Sequence, residues 1–204
     1  MMTKAYVITE GETDREILET VLHPQSLASV EFIVGAGRYS AQSLARSVLA
    51  MEEIPVALVV DADTSVESSV QEQRGLLQNA LHQASPGVEF LVCLAVPEIE
   101  ILLVQDWDFI RDLANRSEFS EMETEFAELA PKKFLLEILQ PESYSATLRR
   151  LLDDISDRPQ TIAAIREYPL VKRLEKFLLS VTPQDIESTN QSTPQTAEVH
   201  PHHV

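Results

Sequence analysis

The stretch that decides the fold is YVITEGETDREIL, residues 6–18. It begins with apolar, β-branched residues, which are typical of a short strand ending at Thr9, and it ends with apolar residues at helical spacing. Thr13 and Glu16 have the spacing of a capping box at the start of that helix. A turn from strand to helix needs glycine or asparagine, but it does not need a glutamate at position 10. The position of Glu10 therefore requires an explanation from the rest of the chain.

The same alternation of strand and helix continues through the first half of the chain. Apolar runs typical of strands occupy residues 5–9, 30–34, 56–60 and 88–96. A helix is predicted over residues 40–51, and another is predicted to reach residue 84 from a capping box formed by Thr64 and Glu67. Strands separated by helices predict a parallel sheet with right-handed crossovers. The predicted fold class is α/β: a four-stranded parallel, Rossmann-like sheet with flanking helices, followed by a helical C-terminal region.

Composition divides the 204 residues into three predicted parts. Residues 3–105 form the α/β part, and residues 106–180 are rich in Leu and Glu, lack glycine, and read as short helices punctuated by prolines. Residues 181–204 are polar and rich in Pro and Thr, so we expect this tail to be disordered. The net charge of −17 opposes binding to nucleic-acid phosphates, but 11 of the 16 Lys and Arg residues fall within 106–180.

Several classes of protein do not fit the sequence. No apolar run approaches the ~20 residues of a membrane span, and the chain starts directly on a strand, so the expected location is the cytoplasm, away from membranes. Cys93 is the single cysteine, which excludes a disulfide framework and a thiolate metal site; its apolar neighbours predict a core position. None of the five histidines is assigned to catalysis.

Acidic residues follow three of the predicted strands. They are Glu10 after the first, Asp61 and Asp63 after the third, and Glu98 and Glu100 after the fourth. The carboxyl ends of parallel strands meet at one edge of the sheet, where α/β proteins bind ligands. Close carboxylates repel one another unless a cation lies between them, and Mg²⁺ prefers oxygen ligands. The sequence therefore predicts a site for one or two Mg²⁺ or Mn²⁺ ions; the alternative is a set of solvated acidic loops.

Two of these segments resemble a known family. VITEGETDREIL, followed about fifty residues later by ALVVDADT, is similar to the Toprim domain of topoisomerases, bacterial primases, recombination-repair proteins and the overcoming-lysogenization-defect (OLD) nucleases. The resemblance covers residues 3–105. The Toprim signature is a glutamate after the first strand and Asp-x-Asp after the third, and it falls on Glu10, Asp61 and Asp63. The resemblance implies catalytic and metal-binding roles for these three residues.

Further segments are most similar to the OLD branch, whose members cleave DNA or RNA phosphodiesters with two divalent metals. VPEIEILL and PKKFLLEIL imply that Glu98 or Glu100 is a further metal ligand and that Lys132 or Lys133 is a catalytic lysine. The resemblance also implies a role in phage defence or repair. OLD proteins usually carry an ATPase on the same chain, but G-x-x-x-x-G-K-[ST] does not occur here. ATP coupling would then depend on a separately encoded ATPase partner.

Two weaker candidates lie near the same edge. Asp14 belongs to the family motif as a metal ligand, although a first-turn acid that complements the helix dipole is equally expected. The sequence GAGR offers the backbone amides of Gly35 and Gly37, together with Arg38, for binding a substrate phosphate. A lone Gly-x-Gly is more often only a turn.

Two other functions remain open from the sequence. One is a receiver-like phosphorylation switch with Asp61 as the acceptor, although that fold places paired acids after strand one and a lysine after a fifth strand, neither of which is legible here. The other is a non-catalytic Toprim subunit that scaffolds the ATPase partner. The oligomeric state and the choice between DNA and RNA are not specified by the sequence.

Overall fold

All four predicted strands are present, and they form one parallel sheet. The structure is a computed structural model that describes residues 5–139 and 144–181, with side chains from residue 148 in the second range. The strands lie in the order β2-β1-β3-β4. Their bounds are Ala5–Thr9 for β1, Val30–Val34 for β2, Val56–Asp61 for β3 and Phe90–Ala95 for β4. The α/β fold class predicted from the sequence is confirmed.

Helices connect the strands and make up the described part of the C-terminal half. They are α1 Glu12–Val21, α2 Pro24–Leu27, α3 Arg38–Met51, α4 Glu67–Ala84, α5 Trp107–Ala114, α6 Glu121–Leu129, α7 Pro131–Leu139, α8 Tyr144–Ser156, α9 Pro159–Arg166 and α10 Pro169–Val181. A 3₁₀ helix, Ile99–Val104, follows β4. Prolines begin α7, α9 and α10, where the missing amide costs nothing and the fixed φ favours a helix. Pro141 and the predicted tail from residue 182 onward lie outside the described residues.

The register of the sheet aligns the strand ends that carry the acids. β3 is buried on both faces over Val56–Val60, as its unbroken apolar run predicts. Thr9 at the end of β1 pairs with Val59 of β3, and Asp61 at the end of β3 pairs with Ala95 of β4. The residues that follow these strands consequently leave the sheet at the same edge.

Both predicted capping boxes differ from the observed helix starts. At α1 the N-cap is Gly11, and its amide donates to the Asp14 carboxylate at 3.0 Å, so Thr13 lies inside the helix. Glycine is acceptable at an N-cap, and by starting there the helix is two residues longer than a helix capped by Thr13. At α4 the N-cap is Val66, and the Thr64 hydroxyl instead accepts the Val66 amide in the preceding turn.

The two faces of the sheet are covered by different halves of the chain. On one face α3 and α4 pack over residues such as Ile8 and Leu58. On the other face α1 and the C-terminal helices share a single apolar core with the sheet, which runs from Val7 and Val59 to Leu174 and Leu178. The compositional change near Asp106 therefore does not divide the core in two. No described helix has the length and apolar character needed to cross a membrane.

Candidate functional site

Glu10 and Asp61 are joined at the centre of the sheet edge. The Asp61 amide donates to Glu10 Oε1 at 3.1 Å, so the glutamate after β1 reaches across to the end of β3. Asp61 reaches in turn toward β4, where its Oδ1 accepts the Ile99 amide at 2.8 Å. Burial raises the pKa of Glu10, and the nearby Asp14 carboxylate raises it further, against the lowering effect of the Asp61 amide. Glu10 thus belongs to a cluster of acids, which a simple turn would not need.

Two more carboxylates of this cluster are buried. Asp14 is 9% exposed, and Glu100 in the 3₁₀ helix is 2% exposed. Burial raises the pKa of Asp14, and so does the charge of Glu100, while the Gly11 amide lowers it. Asp14 is thus the first-turn acid expected for α1, and it also lies near another acid; its role as a metal ligand stays a prediction.

Asp61 is the most strongly perturbed acid of the edge. Its pKa rises from the ordinary value of 3.8 to about 8, first because the side chain is buried, and then because Asp14, Glu100 and Glu10 lie near it. The hydrogen bond from Ile99 opposes this rise. Four carboxylates from three chain segments, those at or just after the ends of β1, β3 and β4, are thus electrostatically coupled. This convergence is what the sequence predicted for the strand ends.

The N-terminus of α7 closes the site from the helical half of the chain. The Lys132 amide donates to Glu98 Oε1 at 2.9 Å, so Glu98 satisfies an amide in the first turn of α7. Burial raises the pKa of Glu98, and this amide opposes the rise. The Lys132 ammonium lies 3.2 Å from Glu100 Oε1. Burial alone would lower the pKa of Lys132, but the charges of Glu100, Glu98 and Asp61 outweigh it and raise the pKa.

The structure distinguishes the members of both ambiguous pairs. Lys132 contacts the acidic cluster, whereas Lys133 is exposed. Glu100 is buried near the other acids. Glu98 is only partly buried, and it accepts the Lys132 amide at the start of α7. Adjacent helical residues differ by about 100° in direction. The choice between Lys132 and Lys133 therefore depends on how α7 packs, which the sequence did not specify.

A first prediction uses the two lysines as a matched pair. Lys132→Ala should lower the free energy of unfolding by about 2 kcal/mol, because it removes the ammonium group that lies 3.2 Å from the buried Glu100 carboxylate; the partial exposure of Lys132 keeps the loss below that of a fully buried pair. Lys133→Ala should change it by less than about 0.5 kcal/mol. Urea unfolding at pH 7 in chelator measures both. Equal losses in the two variants would show that the Lys132–Glu100 contact does not stabilise the fold.

Asp63 and Arg38 form the exposed side of the site. Asp63 has a left-handed backbone with φ of 55°, and its side chain is 74% exposed. An Arg38 nitrogen lies 3.6 Å from Asp63 Oδ2. Gln73 of α4 holds Arg38 in place, since its amide oxygen accepts from the guanidinium and its amide nitrogen donates to the Ala62 carbonyl at 3.0 Å. The sequence carried no signal for Gln73, because these contacts join distant positions of the chain.

The glycines of GAGR do not offer free amides to a phosphate. Gly35 donates its amide to the Thr9 carbonyl at 2.8 Å, and Gly37 donates to the Glu10 carbonyl at 3.0 Å. This corrects the expectation that these two amides would be exposed. Their role is structural: a Cβ at Gly35 would lie 2.8 Å from the Ala41 amide nitrogen, and Gly37 has φ of 92°. Arg38 is the part of the motif that still faces the site.

Comparison with known proteins identifies no relative. No protein-family model, curated protein or solved structure matches this chain. The Toprim resemblance therefore rests on the motif residues themselves.

The donor set suits a hard cation, but its arrangement is not that of a formed metal site. All the clustered ligands are carboxylate oxygens, which Mg²⁺ and Mn²⁺ prefer. Within the described residues, however, no three Asp, Glu, His or Cys side chains are arranged so that they could hold a metal ion. Glu10, Asp14, Asp61 and Glu98 each accept a backbone amide with one oxygen, which leaves their second oxygens for an ion. Metal binding would therefore require some of these side chains to move closer together.

Proposed function

We propose that this protein is a metal-dependent phosphodiesterase that cleaves nucleic acid in the manner of an OLD-type Toprim nuclease. The observation that carries the proposal is the burial of Asp61 at the sheet edge beside Asp14, Glu100 and Glu10; burial first, and then these neighbouring charges, raise the pKa of Asp61 to about 8. Strongly perturbed carboxylates that converge on the ligand-binding edge of an α/β sheet are a mark of functional sites. A cytoplasmic DNA or RNA substrate and a role in phage defence or repair are parts of this proposal.

The positions of the acids also support it. The motif acids Glu10, Asp61 and Asp63 come from the ends of β1 and β3, which are adjacent strands. Glu100 and Asp14 add negative charge beneath them, and the Lys132 ammonium of α7 lies 3.2 Å from Glu100 Oε1. An excess of buried acid over base destabilises a fold, so a divalent cation at this edge would relieve the repulsion.

In this proposal each acid of the edge has a role, and so have Arg38 and Lys132. Glu10 and Asp61 would hold Mg²⁺ or Mn²⁺ together with Asp63, and Glu100, Asp14 or Glu98 would contribute to a second ion. The bound ion supplies Lewis-acid stabilisation of a phosphate oxygen and lowers the pKa of water. Arg38 would bind a substrate phosphate from the solvent side, because Gln73 holds it beside the exposed Asp63. Lys132, which contacts Glu100, would neutralise negative charge on the side of α7.

A second candidate is the non-catalytic subunit that scaffolds a separately encoded ATPase. One specific observation favours it: no three of the described carboxylates have metal-binding geometry. In that case the Lys132–Glu100 pair and the backbone amides would be the permanent partners of the acids. Metal affinity and cleavage separate the two candidates, since the scaffold requires neither. The receiver-like switch gains no support, because the sheet of the described residues has four strands and no fifth that could carry its lysine.

The proposal is tested first by metal binding. Calorimetric titration with Mn²⁺ at pH 7.5 should show binding to the wild type and a loss of at least tenfold in affinity for Asp61→Ala, because removing a ligand of a carboxylate site removes a major part of its charge. Asp154→Ala, which removes an exposed acid from α8, is the matched control and should bind like the wild type. Equal heats from the wild type and Asp61→Ala would contradict the metal site.

Cleavage is tested separately, with supercoiled plasmid DNA and a single-stranded RNA as substrates. The wild type should cut at least one of them in millimolar Mg²⁺ or Mn²⁺, and chelator should abolish cutting. Asp154→Ala should retain full activity. Metal binding without cleavage of either substrate would favour the scaffold, and absence of both would reject the metal site itself.

A further inference from the structure

A second cavity lies away from the acidic edge, beside the outer strand β4. It has a volume of about 210 Å³ and lies between α4 and the start of α10. Its walls are mainly apolar, with Leu94 and Val96 on one side and Leu170 on the other, and the ring of Tyr168 also lines it. A cavity of this size suits a small molecule rather than a folded partner.

Two arginine side chains line this cavity. Arg74 comes from α4 and is partly buried, and Arg173 comes from α10 and is exposed. The Cys93 thiol lines the cavity as well. Burial raises the pKa of this thiol to about 12, and the charges of Arg173 and Arg74 oppose the rise. The thiol itself stays neutral and does not compensate them.

Neither charge is neutralised by the described residues. Arg74 donates Nη1 to the Gln71 amide oxygen at 3.2 Å, and its Nε is buried without any acceptor in the described ranges. Arg173 donates to the Val92 carbonyl at 3.3 Å, an acceptor without net charge. Six of the eleven arginines pair with carboxylates in the described part of the chain: Arg15, Arg38, Arg111, Arg116, Arg149 and Arg158. Arg74 and Arg173 are among the arginines that form no such pair in the described ranges, and both line the same cavity.

The geometry points to a binding site for a small organic phosphate, with its phosphate between Arg74 and Arg173 and its body against Tyr168 and the apolar wall. A phosphate dianion matches two guanidinium charges, and the forked donors of arginine suit its oxygens. The buried Nε of Arg74 would gain the acceptor that it lacks, which repays the cost of burying it unpaired. The positive end of α10, which begins at Pro169 in the same wall, adds to the attraction. This site is separate from the acidic cluster and does not depend on the proposed nuclease.

The test uses phenyl phosphate as the probe, because it combines a phosphate with a compact apolar ring. Calorimetric titration is carried out at pH 7.5 in chelator, so that no metal at the acidic edge contributes. The wild type should bind phenyl phosphate, and Arg74→Gln and Arg173→Gln should each weaken binding by about tenfold or more, the usual effect of losing a hydrogen bond to a charged group. Arg46→Gln, which changes an exposed arginine of α3, should bind within twofold of the wild type.

Three further probes test the assigned chemistry. Inorganic phosphate lacks the apolar body, phenol lacks the phosphate, and benzoate carries a single charge, so each should bind more weakly than phenyl phosphate. Tighter binding of benzoate would overturn the phosphate assignment, and equal binding of inorganic phosphate would overturn the role of the apolar wall. Thermal melts establish that both arginine variants are folded. No binding of phenyl phosphate by the wild type, or equal binding by the wild type and folded Arg74→Gln, would overturn the site.

Discussion

Replacing Asp61 with asparagine is expected to raise the melting temperature of the metal-free protein and to abolish metal-dependent cleavage. In the metal-free fold burial, and then the neighbouring Asp14, Glu100 and Glu10, make the ionised form of Asp61 unfavourable, a cost that is absent from the unfolded chain. Asparagine keeps the oxygen that accepts the Ile99 amide and cannot ionise, so the substitution removes this cost with little loss of packing. We expect a gain of several degrees in chelator, the usual opposition between a strained site and global stability.

Thermal scans with and without millimolar Mg²⁺ or Mn²⁺, together with the plasmid and RNA assays, measure this prediction. Metal should raise the melting temperature of the wild type, because an ion that binds only the folded state stabilises it, and should leave Asp61→Asn unchanged. Asp154→Asn should behave like the wild type in every measurement. If Asp61→Asn melts at or below the wild type in chelator and responds equally to metal, the carboxylates do not form a shared cation site.

The metal-free protein should also lose stability as the pH rises from about 4 to about 8. The pKa of Asp61 is about 8 in the folded state and has its ordinary value of 3.8 in the unfolded chain. Between these values the folded state binds the extra proton, so the free energy of unfolding falls by up to about 1.4 kcal/mol per pH unit from this group. The raised pKa values of Glu10, Asp14 and Glu98 act in the same direction.

Urea unfolding in chelator at pH 5, 6, 7 and 8 gives the slope of stability against pH. Asp61→Asn should make the slope less steep by the contribution of one titrating group, up to about 1.4 kcal/mol per pH unit. Saturating Mn²⁺ should have the same effect on the wild type, because the bound ion keeps Asp61 ionised. Asp154→Asn should retain the wild-type slope. Parallel curves for the wild type and Asp61→Asn would mean that Asp61 titrates normally in the folded protein.

The sequence predicted the strands well because their signals are local. Two of the four predicted strands have the observed bounds, and the other two differ by one or two residues at their ends. The helix starts were less well predicted. Thr13 and Thr64 satisfy the local pattern of a cap, but the observed N-caps are Gly11 and Val66, because the turns leaving the sheet fix where each helix begins.

The candidate site was predictable only as far as topology determines it. Parallel strands bring their carboxyl ends together, so the convergence of the acids after β1, β3 and β4 follows from the strand pattern. The roles of Lys132 and Gln73 depend on how α7 and α4 pack. The prediction for the amides of Gly35 and Gly37 was wrong because their acceptors, the Thr9 and Glu10 carbonyls, lie at and just after the end of β1. Arg74 and Arg173 meet across 99 residues of sequence, and no local pattern connects them.

One apolar core joins the sheet to the C-terminal helices. Neither half of the chain can therefore be moved into another protein as an independent folding unit. A fragment ending near residue 105 would uncover the face of the sheet on which Leu174 and Leu178 pack. The same cut would remove Lys132 from beside Glu100 and the start of α7 from beside Glu98. Recombination or gene fusion at the compositional boundary would thus disrupt the interior and the acidic edge together. Insertions and deletions are better tolerated in surface turns such as the one at Gly87, where a Cβ added to the glycine would have no atom within 4 Å.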